Sequence, residues 1–569
     1  MKKKFYFLAL ALMLSIAPSA NAQSNRADRA DRAISRLAFA IGAGVTDYVA
    51  ARGASTETAN AVIGVVANFT FSIIANTGAD RDTMVAAISG FIAGTSRVVT
   101  KQGLDPDIVS GASYAGGSGA TQFATMSGAD PEATAEIVSD VASATFSAAT
   151  RVGAEKETVV ASISGFIAGT SEVVTEQGLD PQIVSDASYA GGVGATEFAT
   201  MSGADPEATA EIVSDAASAT FSAATSVGAE KETVVASISG FIAGTSEVVS
   251  EQGLDPQIVS DASFAGGVGA TEFAAMSGAD PEATAEIVSD AASATFDATT
   301  AVVKTEAAKG TVIAAISGFI AGTSDAVDEL DLDPQVVSDA SYAGGVGATQ
   351  LATLIGADVE ETNLLISEAS SATSSTTAQS AEDDTVAAAI SGFIAGTMEG
   401  AAENDLDVAG TAEAASSGAA EGAVAAAIES GADISAAAEL AATSAATAAI
   451  EAAIVTGLDP AAATEAAASG SSQGATEAAI DSGLSQDVVD AVIDSSASGS
   501  SDGAIVAAEI AGVDTSAIVD AAESGSSQGA DAATTGGGST IDVGDPVVTP
   551  PDDADEVIIT SPEGPPTTT

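Results

Sequence analysis

The chain has 569 residues, a formal net charge of −63, no His and no Cys, and aromatic residues make up only 4% of it. That charge excludes nucleic acid, whose phosphates need a basic stripe, and simple attraction to an anionic membrane surface. The missing Cys and His remove disulfides, thiolate chemistry, His-ligated metals and imidazole acid–base catalysis.

Residues 1–22 read as a secretory signal. Lys2, Lys3 and Lys4 form its basic region, residues 5–16 its apolar region, and Ala20-Asn21-Ala22 its small-residue cleavage site. The expected localisation is secreted, whether periplasm, cell surface or extracellular medium, with cleavage after Ala22. Residues 23–52 are expected to form a basic N-terminal capping helix, along which Arg26, Arg29, Arg32 and Arg36 share one face.

From Asp28 a 25-residue frame runs through Gly53, Gly78, Gly103 and onward, and three such units make a 75-residue cassette, seen most clearly at residues 103–177 and 178–252. A fixed period of this size overrides any domain count taken from length. Regular repeats span residues 53–400, with a short insertion near residues 302–310. Degenerate, acidic, Ala/Ser/Gly-rich repeats span residues 401–535, and the Gly/Pro/Thr-rich residues 536–569 read as a disordered tail.

Each unit predicts one helix and a tight turn. In the GLDP and GADP turns, Gly suits the left-handed position that closes a helix and the next residue makes the apolar contact of a Schellman motif. Asp then caps the following helix and Pro opens it. Small residues recur every fourth position, as in Ala187, Gly191, Ala195 and Ala199, in Ala236, Gly240 and Gly244, and in Ala210, Ser214, Ser218 and Ser222. Rows at this spacing are packing ridges, so they predict close helix crossings, with larger residues such as Ile183, Phe198, Met201 and Phe241 filling the grooves. Gly191, Gly192 and Gly194 each cost roughly 1 kcal/mol of helix propensity, which predicts a kink or a split there. Residues 58–79 are uncharged and long enough to span a bilayer, but Asn60, Asn68 and Asn76 interrupt them. The stretch reads as an array helix, and no transmembrane segment is expected in the mature chain.

Carboxylates form a second periodic pattern: Glu132, Glu136 and Asp140, then Glu207, Glu211 and Asp215, then Glu282, Glu286 and Asp290, each set at i, i+4 and i+8. Like charges at this spacing oppose the helix by a few tenths of a kcal/mol per pair, so local stability does not explain them. They read first as solubilising and second as a weak stripe for divalent cations, Ca²⁺ or Mg²⁺, and beyond weak Ca²⁺ no cofactor is expected. Arg97 and Lys101 stand where the next cassette has Glu172 and Glu176, and together with the four N-terminal arginines they are the candidate assembly interface. No catalytic constellation can be assembled, because the paired carboxylates repeat in each cassette as lattice elements do.

The sequence thus predicts an all-α, elongated α-solenoid-like array of about twenty antiparallel helical units, in a single row or in two layers. A β-solenoid is the competing fold, disfavoured by the Ala excess and the Asp-Pro caps. The expected function is that of a non-enzymatic secreted structural repeat protein: a spacer, matrix component or filament subunit. Its expected partners are further copies, assembled head-to-tail, or cell-envelope and matrix components. The alternative is a repetitive binding module whose acidic face holds divalent cations, mineral, ice or another periodic ligand.

Overall fold

A computed structural model describes residues 24–302 and 309–535, with side chains from residue 30 onward. The expected leader, the tail, and the side chains of Arg26 and Arg29 lie outside the described residues. Within them every regular element is an α-helix and no strand occurs, so the fold is all-α and the β-solenoid is excluded. The chain opens with α1 (Ser24–Ala50), α2 (Thr56–Asn76) and α3 (Arg81–Gln102). Three regular cassettes follow: α4 (Asp107–Met126), α5 (Pro131–Arg151) and α6 (Lys156–Gln177); α7 (Gln182–Ser202), α8 (Pro206–Ser226) and α9 (Lys231–Gln252); α10 (Gln257–Met276), α11 (Pro281–Val302) and α12 (Lys309–Glu329). A looser cassette holds α13 (Gln335–Ile355), α14 (Val359–Ser380) and α15 (Asp383–Glu403). The array ends with α16 (Val408–Ser430), α17 (Ile434–Thr456), α18 (Pro460–Asp481), α19 (Gln486–Ala511) and α20 (Thr515–Thr535).

The turns follow their local chemistry. Gly178 closes α6 at φ +59°, and the Leu179 N–H donates to the Val174 carbonyl at 2.9 Å, the long bond of a Schellman motif. The Asp205 carboxylate accepts the Ala208 N–H at 2.9 Å, with Pro206 as the first residue of α8. In the GLDP turns the helix starts one residue later. There the Asp180 carboxylate takes the Gln182 N–H at 3.0 Å, and Val184 donates to the Pro181 carbonyl at 2.8 Å in a tightened first turn. Asp331 and Asp405 hold the left-handed position, at φ +52° and +56°, that Gly holds elsewhere.

These short turns reverse the chain, so consecutive helices are antiparallel. A single row would leave contacts only between consecutive helices, yet each helix packs more extensively on its next-but-one neighbour, which runs parallel to it. The helices therefore alternate between two layers, odd-numbered ones in one and even-numbered ones in the other, with the core between. Substantial contacts reach no further than the third neighbour, so α1 and α20 do not close on each other and the array is open.

Within a layer the closest approach is between the first and third helices of a cassette. Gly240 and Gly244 bring the α9 backbone onto α7 so closely that a Cβ at either would lie 2.2 and 2.1 Å from the Ser185 and Tyr189 carbonyl oxygens. Gly192 lies against the Phe241 carbonyl in return, at 2.1 Å by the same measure. This corrects the expected kink: α7 is one continuous helix, because the propensity lost at its glycines is offset by a backbone approach that a side chain would block. From α16 onward the same device joins most next-but-one pairs. Gly418 and Gly422 seat on α14, Gly470 and Gly474 on α16, Gly499 and Gly503 on α17, and Gly525 and Gly529 on α18. The repeats that are degenerate in sequence are thus the more uniformly close-packed.

Between the layers, one edge-to-face phenylalanine pair joins the second and third helices of the opening trio and of each regular cassette: Phe71–Phe91, Phe146–Phe166, Phe221–Phe241 and Phe296–Phe319, with centroids 5.7, 5.8, 5.9 and 5.8 Å apart. Ser374 of α14 occupies the matching place one cassette on and is buried, so the aromatic series ends there. Two expectations about packing need correction. Ser218 and Ser222 are exposed, because α8 buries the face carrying Val213, Ala217 and Phe221 instead of its row of serines. Met201, in the last turn of α7, is 69% exposed and fills no groove. Seven described helices are long and apolar enough to cross a membrane by length and composition; six lie mostly buried in the array, and α2 is only 33% buried.

Candidate functional site

The predicted carboxylate stripe is present, but two of its three members in each cassette are already engaged. Arg81, the first residue of α3, bridges Glu136 at 2.8 Å and Asp140 of α5. Lys156 of α6 bridges Glu211 at 2.6 Å and Asp215 at 2.7 Å, and Lys231 of α9 bridges Glu286 at 3.0 Å and Asp290 at 2.7 Å. Each cation thus clamps two carboxylates one turn apart on the next-but-one helix, relieving the like-charge repulsion along that helix. The Lys231 ammonium is held above its usual range by the Asp290 hydrogen bond, with Glu286 adding to it and desolvation working against it. Lys309 continues the series by lowering the carboxyl of Glu368, whose burial otherwise raises it.

Sequence reasoning missed these cations. The available signal was that Arg81, Lys156 and Lys231 recur at 75-residue intervals in a chain otherwise short of basic residues. The rungs are half-exposed on the carboxylate side, so each contributes about 0–1 kcal/mol and acts more on register than on stability. Glu132, Glu207 and Glu282 stand outside them, exposed in the first turns of α5, α8 and α11, where the helix dipole favours them. No group of three or more Asp and Glu side chains gathers as a metal-ligand set among the described residues.

The proposed assembly residues divide. Arg32 and Arg36 are exposed on α1, at the open start of the array. Arg97 lies on α3 with its guanidinium 5.9 Å over the Phe39 ring, so it belongs to an intramolecular contact, and Lys101 is exposed a turn later. One cassette on, the Tyr114 hydroxyl at the same place is pushed well above the usual phenol range by burial and by the Glu172 carboxylate it hydrogen-bonds. Beyond Lys309 no cation remains in the sequence, and carboxylates then face one another. Glu421 of α16 is pushed up to about 7, by burial first and then by Glu477 and Asp481 of α18.

These features define an open, two-layer α-solenoid with a charge-laddered flank. No family model and no curated relative matches the chain. Among solved structures it is similar to a "Circular tandem repeat protein with novel repeat topology and enhanced subunit contact surfaces", at 11% identity and a TM-score of 0.22, over 80% of this chain and 98% of that one.

Proposed function

We propose that this chain is a non-enzymatic structural subunit, a secreted spacer, matrix component or filament block. One observation carries the reading. The aromatic pair, the glycine-on-carbonyl crossing and the ion-pair rung each recur once per cassette in nearly the same geometry. Repeating units of this kind supply length and an unvarying outer surface, whereas recognition of a single ligand calls for diversified positions. The leader-like residues 1–22 support export.

Electron microscopy of residues 23–569 beside a variant lacking the cassette at residues 178–252 tests this. The expected result is a particle that shortens by three helices and is otherwise unchanged, with or without millimolar Ca²⁺. A particle whose dimensions do not follow cassette number would sink the reading. A second reading, a cation-holding face, rests on the row Glu132, Glu207 and Glu282, which stays outside the rungs. It predicts Ca²⁺ uptake that scales with cassette number, where a pure spacer shows only diffuse screening.

A further inference from the structure

The two ends of the array carry unlike, complementary ridges. In α16, α17 and α18 an acidic and a hydroxyl residue four apart form a seat for two glycines of the next-but-one helix. Glu413 and Ser417 receive Gly470 and Gly474, Glu439 and Thr443 receive Gly499 and Gly503, and Glu465 and Ser469 receive Gly525 and Gly529, all through backbone carbonyls. Asp494 and Ser498 of α19 repeat this pattern, and so do Asp520 and Ser524 of α20, each pair standing five and one residues before its own helix's packing glycine. All four are exposed, since no helix follows α20 among the described residues.

At the other end, Phe39 stands against Gly94 as Tyr114 stands against Gly169, so α1 takes the place of a cassette's first helix. In α4, Gly111 and Gly119 face backward onto Asn60 and Phe71 of α2. The matching residues of α1 are Arg36 and Gly44, on a ridge that also carries Arg32, Ala40 and Tyr48. Among the described residues a Cβ on Gly44 would meet nothing within 4 Å, and the other four are exposed. Beside this ridge α2 leaves Val62, Val65 and Phe69 36, 69 and 59% exposed. In interior cassettes the place of Val62 is taken by Ile212 and Ile287, only 9 and 8% exposed, and that of Val65 by Asp215 and Asp290. The end of a solenoid that meets only water is ordinarily polar. This one is apolar.

We propose that the α1 ridge of one copy docks on the α19 ridge of a second copy, head to tail, with α2 laid over α20 beside it; this rests on the structural-subunit reading above. The twenty helices are an even number, so α1 of the next copy enters the odd layer parallel to α19 and both layers continue without inversion. In the register of the interior seats, Gly44 falls on Ser498 and Ala40 on Asp494, where its methyl group holds the crossing wider than at the interior glycines, so the close backbone approach is made at Gly44 alone. That register sets Arg36 against Asp490 and Tyr48 against Asp502, a basic start on an acidic one. Because the contact is heterologous and the array open, association propagates beyond dimers.

Sedimentation velocity of residues 23–569 over a range of concentrations tests it. The wild type forms concentration-dependent chains. Gly44→Ala, whose added methyl group meets no described residue within one copy, keeps or raises the melting temperature yet weakens association at least tenfold, because that methyl group would enter the Ser498 carbonyl. Arg36→Glu and Asp490→Lys each weaken association, and mixing the two variants restores it. Removing residues 536–569 leaves association unchanged. A wild type that stays monomeric, a Gly44→Ala protein that assembles normally, a charge swap that does not rescue, or assembly lost with residues 536–569 each overturns the proposal. Monomers that still shorten with cassette deletion would leave the structural reading standing.

Discussion

Arg97 lies 5.9 Å over the ring of Phe39, in the place where Glu172 meets Tyr114 one cassette later. The aromatic residue and its charged partner change together: a phenyl ring, whose face is negative, takes the cation, and a phenol, whose hydroxyl can donate, takes the carboxylate. Arg97→Glu alone should therefore cost about 0.5–1 kcal/mol, by setting a carboxylate over an apolar ring. Phe39→Tyr with Arg97→Glu should recover most of that by writing the second-cassette pair into the first. A double-mutant cycle by urea unfolding measures the coupling, and strictly additive single effects would refute the pairing.

The backbone crossing at Gly240 sets a steeper penalty. Gly240→Ala places a methyl 2.2 Å from the Ser185 carbonyl oxygen, and neither helix can yield without opening its neighbours. The expected loss is roughly 2–3 kcal/mol, against about 1 kcal/mol for Gly253→Ala, where open space surrounds the residue and only its positive φ is strained. Equal losses at the two sites, compared by thermal or urea unfolding, would contradict the crossing.

What could be read from the sequence was what neighbouring residues decide among themselves. Gly, Asp and Pro within a four-residue turn fix a helix end and the next start, so Gly178, Asp205 and Pro206 behave as their order predicts. The two layers could not be read, because they depend on which face of each helix is buried, and in α8 that face carries Val213 and Phe221 in place of the serine row. The rungs were hidden by distance: Arg81 and its partners are 55 and 59 residues apart, and only the layering brings them together. Gly191 and Gly192 show the same limit. Local propensity marks them as a weak point, whereas the contact with α9 makes them a requirement.

Asp331 and Asp405 stand at φ +52° and +56°, where an L residue crowds its own carbonyl and Gly does not. Asp331→Gly and Asp405→Gly should each stabilise the array by about 0.5–1 kcal/mol, the relief of strain exceeding the entropy gained by the unfolded chain. Each should raise the melting temperature, and a fall in either would show that the aspartate makes a compensating contact.

Acidification should stabilise the fold at first. Glu421 is pushed from an ordinary 4.5 to about 7 by burial and by Glu477 and Asp481, and Asp261 from 3.8 to about 6 by burial, partly countered by the Gln257 hydrogen bond. Because the folded values are the raised ones, the native state binds more protons than the unfolded chain between the two values. Stability is then fullest below the unfolded values and is lost as pH rises through about 6 to 7. For Glu421 the difference is on the order of 3 kcal/mol. The melting temperature should therefore be higher near about pH 5.5 than near about pH 8. The comparison stays above the pI of about 4.1, where vanishing net charge would invite association. Glu421→Gln removes the titration, so it should stabilise the array at the alkaline end and flatten the dependence contributed by α16 and α18. If the variant's profile merely runs parallel to that of the wild type, Glu421 is not the group whose burial is being relieved.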